Sequence, residues 1–459
     1  MGSDMEGIFS KTREEIREIQ DKGIRRMMEL CRKGHPYYQK RFKEEGIDFS
    51  SVKGIDDLEE LPLTTKQDYM AQPEEFVLSL PEAPLFERVV YNVLYTTGTT
   101  TGKPTPFYNT AHDYYATLMI SKRVAHIVGL TPEDTIANTY PLTMVPHLTF
   151  FAAFWYATVI GARLVSTLTG TPNPEFPVTN SSRQAAKMVE ASGATVLWGI
   201  PSFLRRLLTL AEEMGLDYHR LRMAAVAGEP CSQELREDIV RRLKRLGAKA
   251  PHVNNRFGFT EISTVLVECD DEGKGGFHNP APDHFFLEAV DPDTGRRVED
   301  GVEGYLAVTH LNRRGTVFVR YLTGDIVVMS HERCPYCGRQ TSRVVSQPYR
   351  KSNLVKFKGT LINPDPLIRA LSGMEGVEEF QIVFTREDLA DPLSPDHLQI
   401  RIASEKKNEE VIRRVVGLCL QTIEMRPEVV FVKKDDIYDP DKGFKSRRVI
   451  DLRSKENKG

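Results

Sequence analysis

The sequence is poor in several things that would assign it quickly. Only six of its 459 residues are cysteine, at positions 31, 231, 269, 334, 337 and 419, which is too sparse for the disulfide framework of a small secreted domain. A basic excess is missing as well. The 61 Lys and Arg face 64 Asp and Glu, for a formal net charge of −3. A binder of the nucleic-acid backbone would carry surplus positive charge, so no nucleic-acid partner is expected. Long apolar runs are also lacking. The most apolar stretch, 148–162, is shorter than a membrane span and follows Pro146 and His147, so it reads as a buried helix and no membrane partner is expected. The first residues show no apolar core and no cleavage-like site, so no secretory signal is expected and the chain reads as cytoplasmic. No internal repeat or low-complexity tract is visible.

What remains describes an ordinary folded chain. Charged residues make up 27% and hydrophobic ones 40%, enough apolar content to exclude wholesale disorder. The length allows three domain-sized units, or one large and one small. A chain of this size buries most of its surface without covalent staples. Apolar residues at helical spacing (Ile16, Ile19, Ile24, Met27, Leu30, Cys31) predict a helix over 12–33, and a second helix is expected over 148–160. From 184 the pattern alternates: helix 184–192, strand 195–200, a helix opened by Pro201 and Ser202 through 214, strand 223–227, and a basic helix over 233–246. Strands alternating with helices of that length imply crossover units and a largely parallel sheet. Ligands of such sheets sit outside the carboxyl ends of strands, which makes 228–231 and 255–261 candidate site loops. Runs at 285–290 and 304–309, punctuated by Asp, Pro and Gly, predict antiparallel strands beside that core. Strands near 380–384, 397–402 and 429–432 with a helix over 408–423 suggest a small α+β unit at the end of the chain.

The segment Tyr95-Thr-Thr-Gly-Thr-Thr-Thr-Gly-Lys-Pro104 has the makings of a phosphate loop. Glycines let backbone N–H groups approach a phosphate, while hydroxyls and a lysine add donors and charge. It is not a Walker loop, because three residues separate Gly98 from Gly102 and Pro104 follows Lys103. Four further segments follow in order: Asn255-Arg-Phe-Gly-Phe-Thr-Glu261, Tyr321-Leu-Thr-Gly-Asp325, Arg350 with Gly359 nine residues later, and Gly443-Phe-Lys-Ser-Arg-Arg-Val449. With the Thr/Gly loop they resemble the adenylate-forming superfamily of acyl-CoA synthetases, peptide-synthetase adenylation domains and luciferases. Leu61-Pro-Leu-Thr-Thr-Lys66 and Gly228-Glu-Pro230 resemble its phenylacetate–CoA ligase branch.

The resemblance implies an ATP-dependent ligation of a carboxylic acid, aromatic or arylalkanoic, to coenzyme A through an acyl-adenylate. The fold expected is α/β: a large N-terminal α/β domain (1–350) with parallel sheets and an antiparallel β subdomain, and a small mobile α+β domain (351–459) hinged at 350–353. Thr96, Thr97, Thr99, Thr100 and Lys103 would hold the β- and γ-phosphates, with Gly98, Thr101 and Gly102 in the same loop. Thr260 would contact the α-phosphate and Glu261 would hold Mg2+, a hard cation that takes oxygen ligands. Asp325 would accept from both ribose hydroxyls, and Arg350 would face the ribose or the α-phosphate. Gly228, Glu229, Pro230, Asn255 and Phe257 would line the adenine slot, with Arg256 and Gly258 in the same stretch. Lys445 would bridge the substrate carboxylate and the α-phosphate, and Lys442 is the alternative. A homodimer is implied by the resemblance alone. The chain departs from the family pattern at one extra Thr, which leaves the register of Thr99 to Thr101 open, at Phe444 before the lysine, and at Lys351-Ser-Asn353, where acidic hinge residues are usual. That hinge keeps a non-CoA acceptor (an amine, a carrier or a cofactor hydroxyl) in view, beside a non-catalytic nucleotide-binding protein. His147 reads equally as a wall of the acyl pocket or as a buried histidine, Tyr140 could face substrate, and Trp198 and the aromatic cluster of Phe150, Phe151, Phe154, Trp155 and Tyr156 read first as core and only second as such a wall.

Cys334-Pro-Tyr-Cys337-Gly-Arg presents two thiolates from one short turn, the spacing of a zinc knuckle. The strand–turn–helix context of a thioredoxin-like redox pair is missing. A closed structural Zn2+ site needs four ligands, and Cys269 with His278 is the best remaining pair, His310 and His331 being the competitors. Such a site would tie the loop after Glu261 to the segment after Asp325.

Overall fold

The computed structural model describes residues 7–95, 104–142, 148–170, 178–270, 272–350, 354–358, 360–391, 394–404, 409–442 and 445–453. The chain divides into two compact units. One gathers residues 1–136, 143–164 and 254–348; the other gathers 137–142, 165–253 and 349–459.

The first unit begins with the helix Arg13–Gly34. Thr12 caps it, and Glu15 reaches back to the cap, satisfying two backbone donors that a helix start leaves open. Met27, Met28, Tyr38, Phe42, Tyr69 and Phe76 from this N-terminal region form one core with Phe107 and with Val317, Phe318, Val319 and Tyr321. The rings of Phe318 and Tyr321 stack 4.2 Å apart within it. Antiparallel pairing then runs from Phe285–Val290 through Glu303–His310, Tyr321–Ser330, Arg343–Val344, Phe277–His278 and Thr264–Glu268 to His252–Phe259. A separate ribbon pairs Val90–Tyr95 with Pro106–Thr110. The helices Ala111–Ile127 and Leu148–Ile160 complete the unit. The second of these was expected to be a buried helix. It buries Phe150, Ala153, Trp155 and Tyr156 but turns Phe151 and Phe154 outward.

The second unit holds the parallel part. Val196–Gly199 and Met223–Val226 pair in parallel and are buried on both faces, which is why their sequences read as unbroken apolar runs. Ser181 caps Ser182–Ser192, which ends at Gly193 with φ +61°, and Ser232 caps Gln233–Arg245. The last segment forms a four-stranded sheet in the order Glu428–Phe431, Asp396–Ala403, Glu379–Arg386, Val449–Asp451. Phe380, Ile382, Phe384, Leu398 and Ile400 pack there with Leu367 and Leu371 of Asp365–Ser372 and with Val411 and Val415 of Glu409–Ile423. The architecture is therefore mixed α/β, with parallel and antiparallel sheets as the sequence predicts. Among the described residues no helix is long and apolar enough to cross a membrane.

Candidate active site

Thr96, Thr97, Gly98, Thr99, Thr100, Thr101, Gly102 and Lys103 lie outside the described residues, as do His147, Lys351 to Asn353, Gly359, Gly443 and Phe444. The flanks of the Thr/Gly loop are described. Tyr95 and Pro106 face each other across the ribbon, so both ends of the loop leave from one ribbon end.

In the first unit, His252–Phe259 carries Asn255, Arg256, Phe257 and Gly258 and runs into the short turn Thr260–Ile262. Gly258 is needed because a Cβ there would lie 2.7 Å from Val265 Cγ1 on the neighbouring strand. Ser263, at φ +52°, ends the turn and leaves Glu261 buried. Glu261 Oε1 accepts from the Tyr321 hydroxyl at 3.4 Å, and its backbone carbonyl accepts from His310 Nε2 at 2.9 Å. The Phe318 N–H donates to His310 Nδ1 at 3.0 Å, which places the ring proton on Nε2. Burial, followed by the nearby Arg313, holds His310 well below its ordinary pKa and hence neutral. Tyr321 opens the strand that also carries Asp325. Pairing with the neighbouring strand breaks register between Leu322 and Ile326, and Gly324 sits in this bulge at φ +84°, a conformation glycine adopts without strain. Arg256 is buried, with its guanidinium 5.3 Å from the Tyr156 ring and its Nε donating to Asn254 Oδ1 at 2.9 Å.

In the second unit, the strand Met223–Val226 delivers the loop Gly228, Glu229 and Pro230. The Tyr140 hydroxyl donates to the Ala227 carbonyl at 2.9 Å, so this tyrosine, a candidate for facing substrate, buttresses the loop. Trp198 is buried in the core. Lys445 Nζ donates to the Gly228 carbonyl at 2.5 Å, with Gly228 at φ +91°. Ser202 N–H, in the first turn of Pro201–Glu213, donates to Glu229 Oε2 at 3.4 Å, while Glu229 Oε1 is buried without a hydrogen-bond partner. Burial pushes the Glu229 carboxyl up, against the pull of Lys445, Ser202 and Arg448. Burial pulls the Lys445 ammonium down; Glu229 opposes that and Arg350 adds to it. Lys442 is exposed and pairs with Asp439 at 2.9 Å. Arg350 lies on the short strand Tyr349–Arg350 of this same unit.

The first unit also assembles Cys269, His278, Cys334 and Cys337, whose donor atoms all lie within 4.8 Å of one another. Cys269 Sγ is 3.8 Å from Cys334 Sγ, and Cys337 Sγ is 3.6 Å from His278 Nε2. A tetrahedral zinc, with sulfur at about 2.3 Å and nitrogen at about 2.0 Å, spaces its donors roughly 3.5–3.8 Å apart. The residues thus fit that ion. His278 Nδ1 is tied to Thr341 Oγ1 at 3.2 Å, the outer contact that orients a metal-binding imidazole. A Cβ on Gly275 would stand 2.5 Å from Cys269 Sγ, so the loop must be glycine to pass the cluster. The hydrogen bond between Cys269 and Cys337 holds the Cys337 thiol down and pushes the Cys269 thiol up, so the two share a proton that a metal would displace. The competing histidines are engaged elsewhere: His310 serves Glu261, and His331 Nδ1 lies 2.7 Å from Asp300. Sequence reasoning weighed His310 only as a ligand, and missed Tyr321 and Thr341. Tyr321 stands at the head of the motif that ends in Asp325 and could have been found there.

A model of the AMP-binding enzyme family matches residues 33–314. A phenylacetate-coenzyme A ligase of Thermus thermophilus is 27% identical over 382 residues, covering 83% of this chain and 80% of that protein. Another of that name, from Escherichia coli, is 24% identical over 389 residues, covering 83% and 82%. Among solved structures, a 2-hydroxyisobutyryl-CoA ligase in the postadenylation state in complex with R3-HIB-AMP superposes with a TM-score of 0.81 at 22% identity, over 99% of this chain and 94% of that one.

Proposed function

The chain belongs to the AMP-binding enzyme family, and from that premise we propose that it is an AMP-forming carboxylate–CoA ligase acting on an aromatic or arylalkanoic acid. The observation that carries the reading is Lys445, the one lysine of its segment brought onto the Gly228–Pro230 loop. Relatives named phenylacetate-coenzyme A ligase supply the acid class.

In the first half-reaction a carboxylate oxygen of the acid attacks the α-phosphorus of ATP and pyrophosphate leaves. The Lys445 ammonium bridges the carboxylate and the α-phosphate, so that it offsets charge as the two approach. Thr260 donates to the α-phosphate, the 96–103 loop holds the β- and γ-phosphates, and Asp325 accepts from the ribose hydroxyls with Arg350 beside them. This is catalysis by positioning and preset charge. Glu261, kept in place by Tyr321 and His310, would hold Mg2+, which would supply positive charge beside the phosphates. In the second half-reaction the CoA sulfur attacks the acyl carbonyl and AMP leaves. A hinge at 350–353 withdraws Lys445 between the two steps. Cys269, His278, Cys334 and Cys337 would hold one structural Zn2+ per chain.

ATP–pyrophosphate exchange over a panel of arylalkanoic and short 2-hydroxy acids, with and without CoA, tests the reading. Exchange with arylalkanoic acids, and release of AMP and a thioester once CoA is added, is expected. Exchange with no use of CoA would move the function to another acceptor. No exchange with any acid would leave a nucleotide-binding protein.

A further inference from the structure

Within the second unit, two stretches far apart in sequence meet along a seam lined by charged side chains. Pro201–Glu213 and Gln233–Arg245 stand on one side, and the C-terminal sheet with Asp365–Ser372 stands on the other. Arg205 spans the seam and is buried in it. Its Nε donates to Asp238 Oδ2 at 2.9 Å on its own side. Its two terminal nitrogens reach across, to the Val377 carbonyl at 3.0 Å and to the Glu378 carbonyl, with the Glu379 carboxylate 3.7 Å away. Glu379 in turn pairs with Arg448. Arg448 donates to the Phe380 carbonyl at 3.0 Å, places its guanidinium 4.5 Å from the Phe380 ring, and accepts from the Ile382 N–H at 2.8 Å through its own carbonyl. Arg448 follows Lys445 by three residues. The relay Arg205–Glu379–Arg448 thus anchors the segment from which Lys445 reaches the Gly228 carbonyl.

We propose, resting on the ligase reading above, that Arg205 is a positioning residue for adenylation: its bonds across the seam seat Lys445, and parting them frees the C-terminal sheet for the second half-reaction. The chemistry of the seam suits one that opens and closes. Parting a buried ion pair is costly when it strands a charge. Here each side keeps a partner of its own. Asp238 stays with Arg205 and with Arg242 at 3.0 Å, and Glu379 stays with Arg448. The bonds given up run mainly from Arg205 to backbone carbonyls, and water replaces them once the groups are exposed. Flanking contacts are of the same exchangeable kind: Arg206 with Asp435 at 2.5 Å, Lys434 with Glu213 at 2.5 Å, and the Ser182 N–H with Asp441 Oδ1 at 2.7 Å. At Gly373, which ends Asp365–Ser372, a Cβ would overlap Glu234, so glycine permits the close approach of the two sides there.

Arg205→Met tests this, since Asp238 keeps Arg242 and Glu379 keeps Arg448 in the variant. The kcat of ATP–pyrophosphate exchange should fall about 10- to 100-fold, the loss expected when a reacting group is misplaced by about an ångström. KM for ATP and the rate of thioester formation from supplied acyl-adenylate should each stay within about twofold of wild type. Arg205→Lys keeps the charge without the planar fork and should recover part of the lost rate. Thermal melting checks folding. Should Arg205→Met fail to fold, Gly373→Val forces the same seam apart at Glu234 and should show the same split between half-reactions. Deuterium uptake reads the seam without any turnover: the amides of Ser182 and of 434–441 should take up label about tenfold faster in the variant than in wild type. Equal loss in both half-reactions, full adenylation without Arg205, or unchanged uptake at those amides would overturn the proposal. A wild type that adenylates no acid would instead remove the ligase reading, and deuterium uptake alone would then decide whether Arg205 holds the seam.

Discussion

The cysteine–histidine cluster and the surroundings of Lys445 satisfy their polar groups to opposite degrees. In the cluster every donor atom lies close to the other three, and the free nitrogen of His278 is taken up by Thr341. Around Lys445, the hydroxyls of Ser202, Tyr438 and Ser446 and one oxygen of Glu229 are buried without hydrogen-bond partners. Leaving such a group unpaired costs about 1–3 kcal/mol, and folds tolerate it where something else completes the site. The first arrangement is built to hold still. The second leaves polar groups open, as the proposed role of Lys445 requires.

Lys445→Ala should break the second arrangement and spare the first. A fall of about 100- to 1,000-fold in ATP–pyrophosphate exchange is expected, with a far smaller effect on thioester formation from supplied acyl-adenylate. Equal loss in both half-reactions would show that Lys445 does not act in adenylation alone. The converse experiment is Cys334→Ser, which should strip zinc and destabilise the fold by roughly 3 kcal/mol, read from metal content and melting temperature. Zinc loss with an unchanged melting temperature would mean that the cluster fixes nothing.

Thr341→Val sharpens the comparison by touching only the outer contact of the cluster. Zinc affinity, measured by chelator competition, should fall about 10- to 100-fold while exchange activity of the zinc-loaded protein holds. The smallest effect is expected for Glu229→Gln. Burial already depresses the Lys445 ammonium, and the Glu229 carboxylate counters that while Arg350 reinforces it. Removing the carboxylate should lower the lysine pKa further, so the alkaline limb of the exchange rate moves to lower pH. Adenylation kcat should drop about tenfold, equivalent to ~1.4 kcal/mol, at unchanged KM for ATP. A raised KM for ATP with kcat intact would instead assign the Glu229 carboxylate to the adenine slot.

Much of the fold could be read from local pattern. The helix expected over 148–160 is Leu148–Ile160, and the strand expected at 285–290 is Phe285–Val290, because each has one strong period or one unbroken apolar run. Ala111–Ile127 was not anticipated. It buries Asp113 and Arg123 as well as apolar residues, and Arg123 is paired with Asp283 at 2.7 Å, so its polar pattern answers to a distant segment. The parallel addition of Val449–Asp451 beside Glu379–Arg386 is equally non-local. In the cluster, spacing identified Cys334 and Cys337. The choice of His278 over His310 and His331 depends on strand register, since Arg343 pairs with His278 just after the Cys334–Cys337 turn. At Lys445 the motif supplied the residue, but the carbonyl it meets and the half-satisfied glutamate beside it are properties of packing.

Tyr321 has two employers. Its ring is wedged against Phe318 in the core built by the N-terminal helices, and its hydroxyl holds Glu261. Few side chains other than tyrosine can meet both demands. Phenylalanine keeps the ring and drops the hydroxyl, and a smaller polar residue reverses the trade. Substitution at this position is therefore confined from two directions at once, and the Glu261 carboxylate is tied to a core that starts in the N-terminal helix.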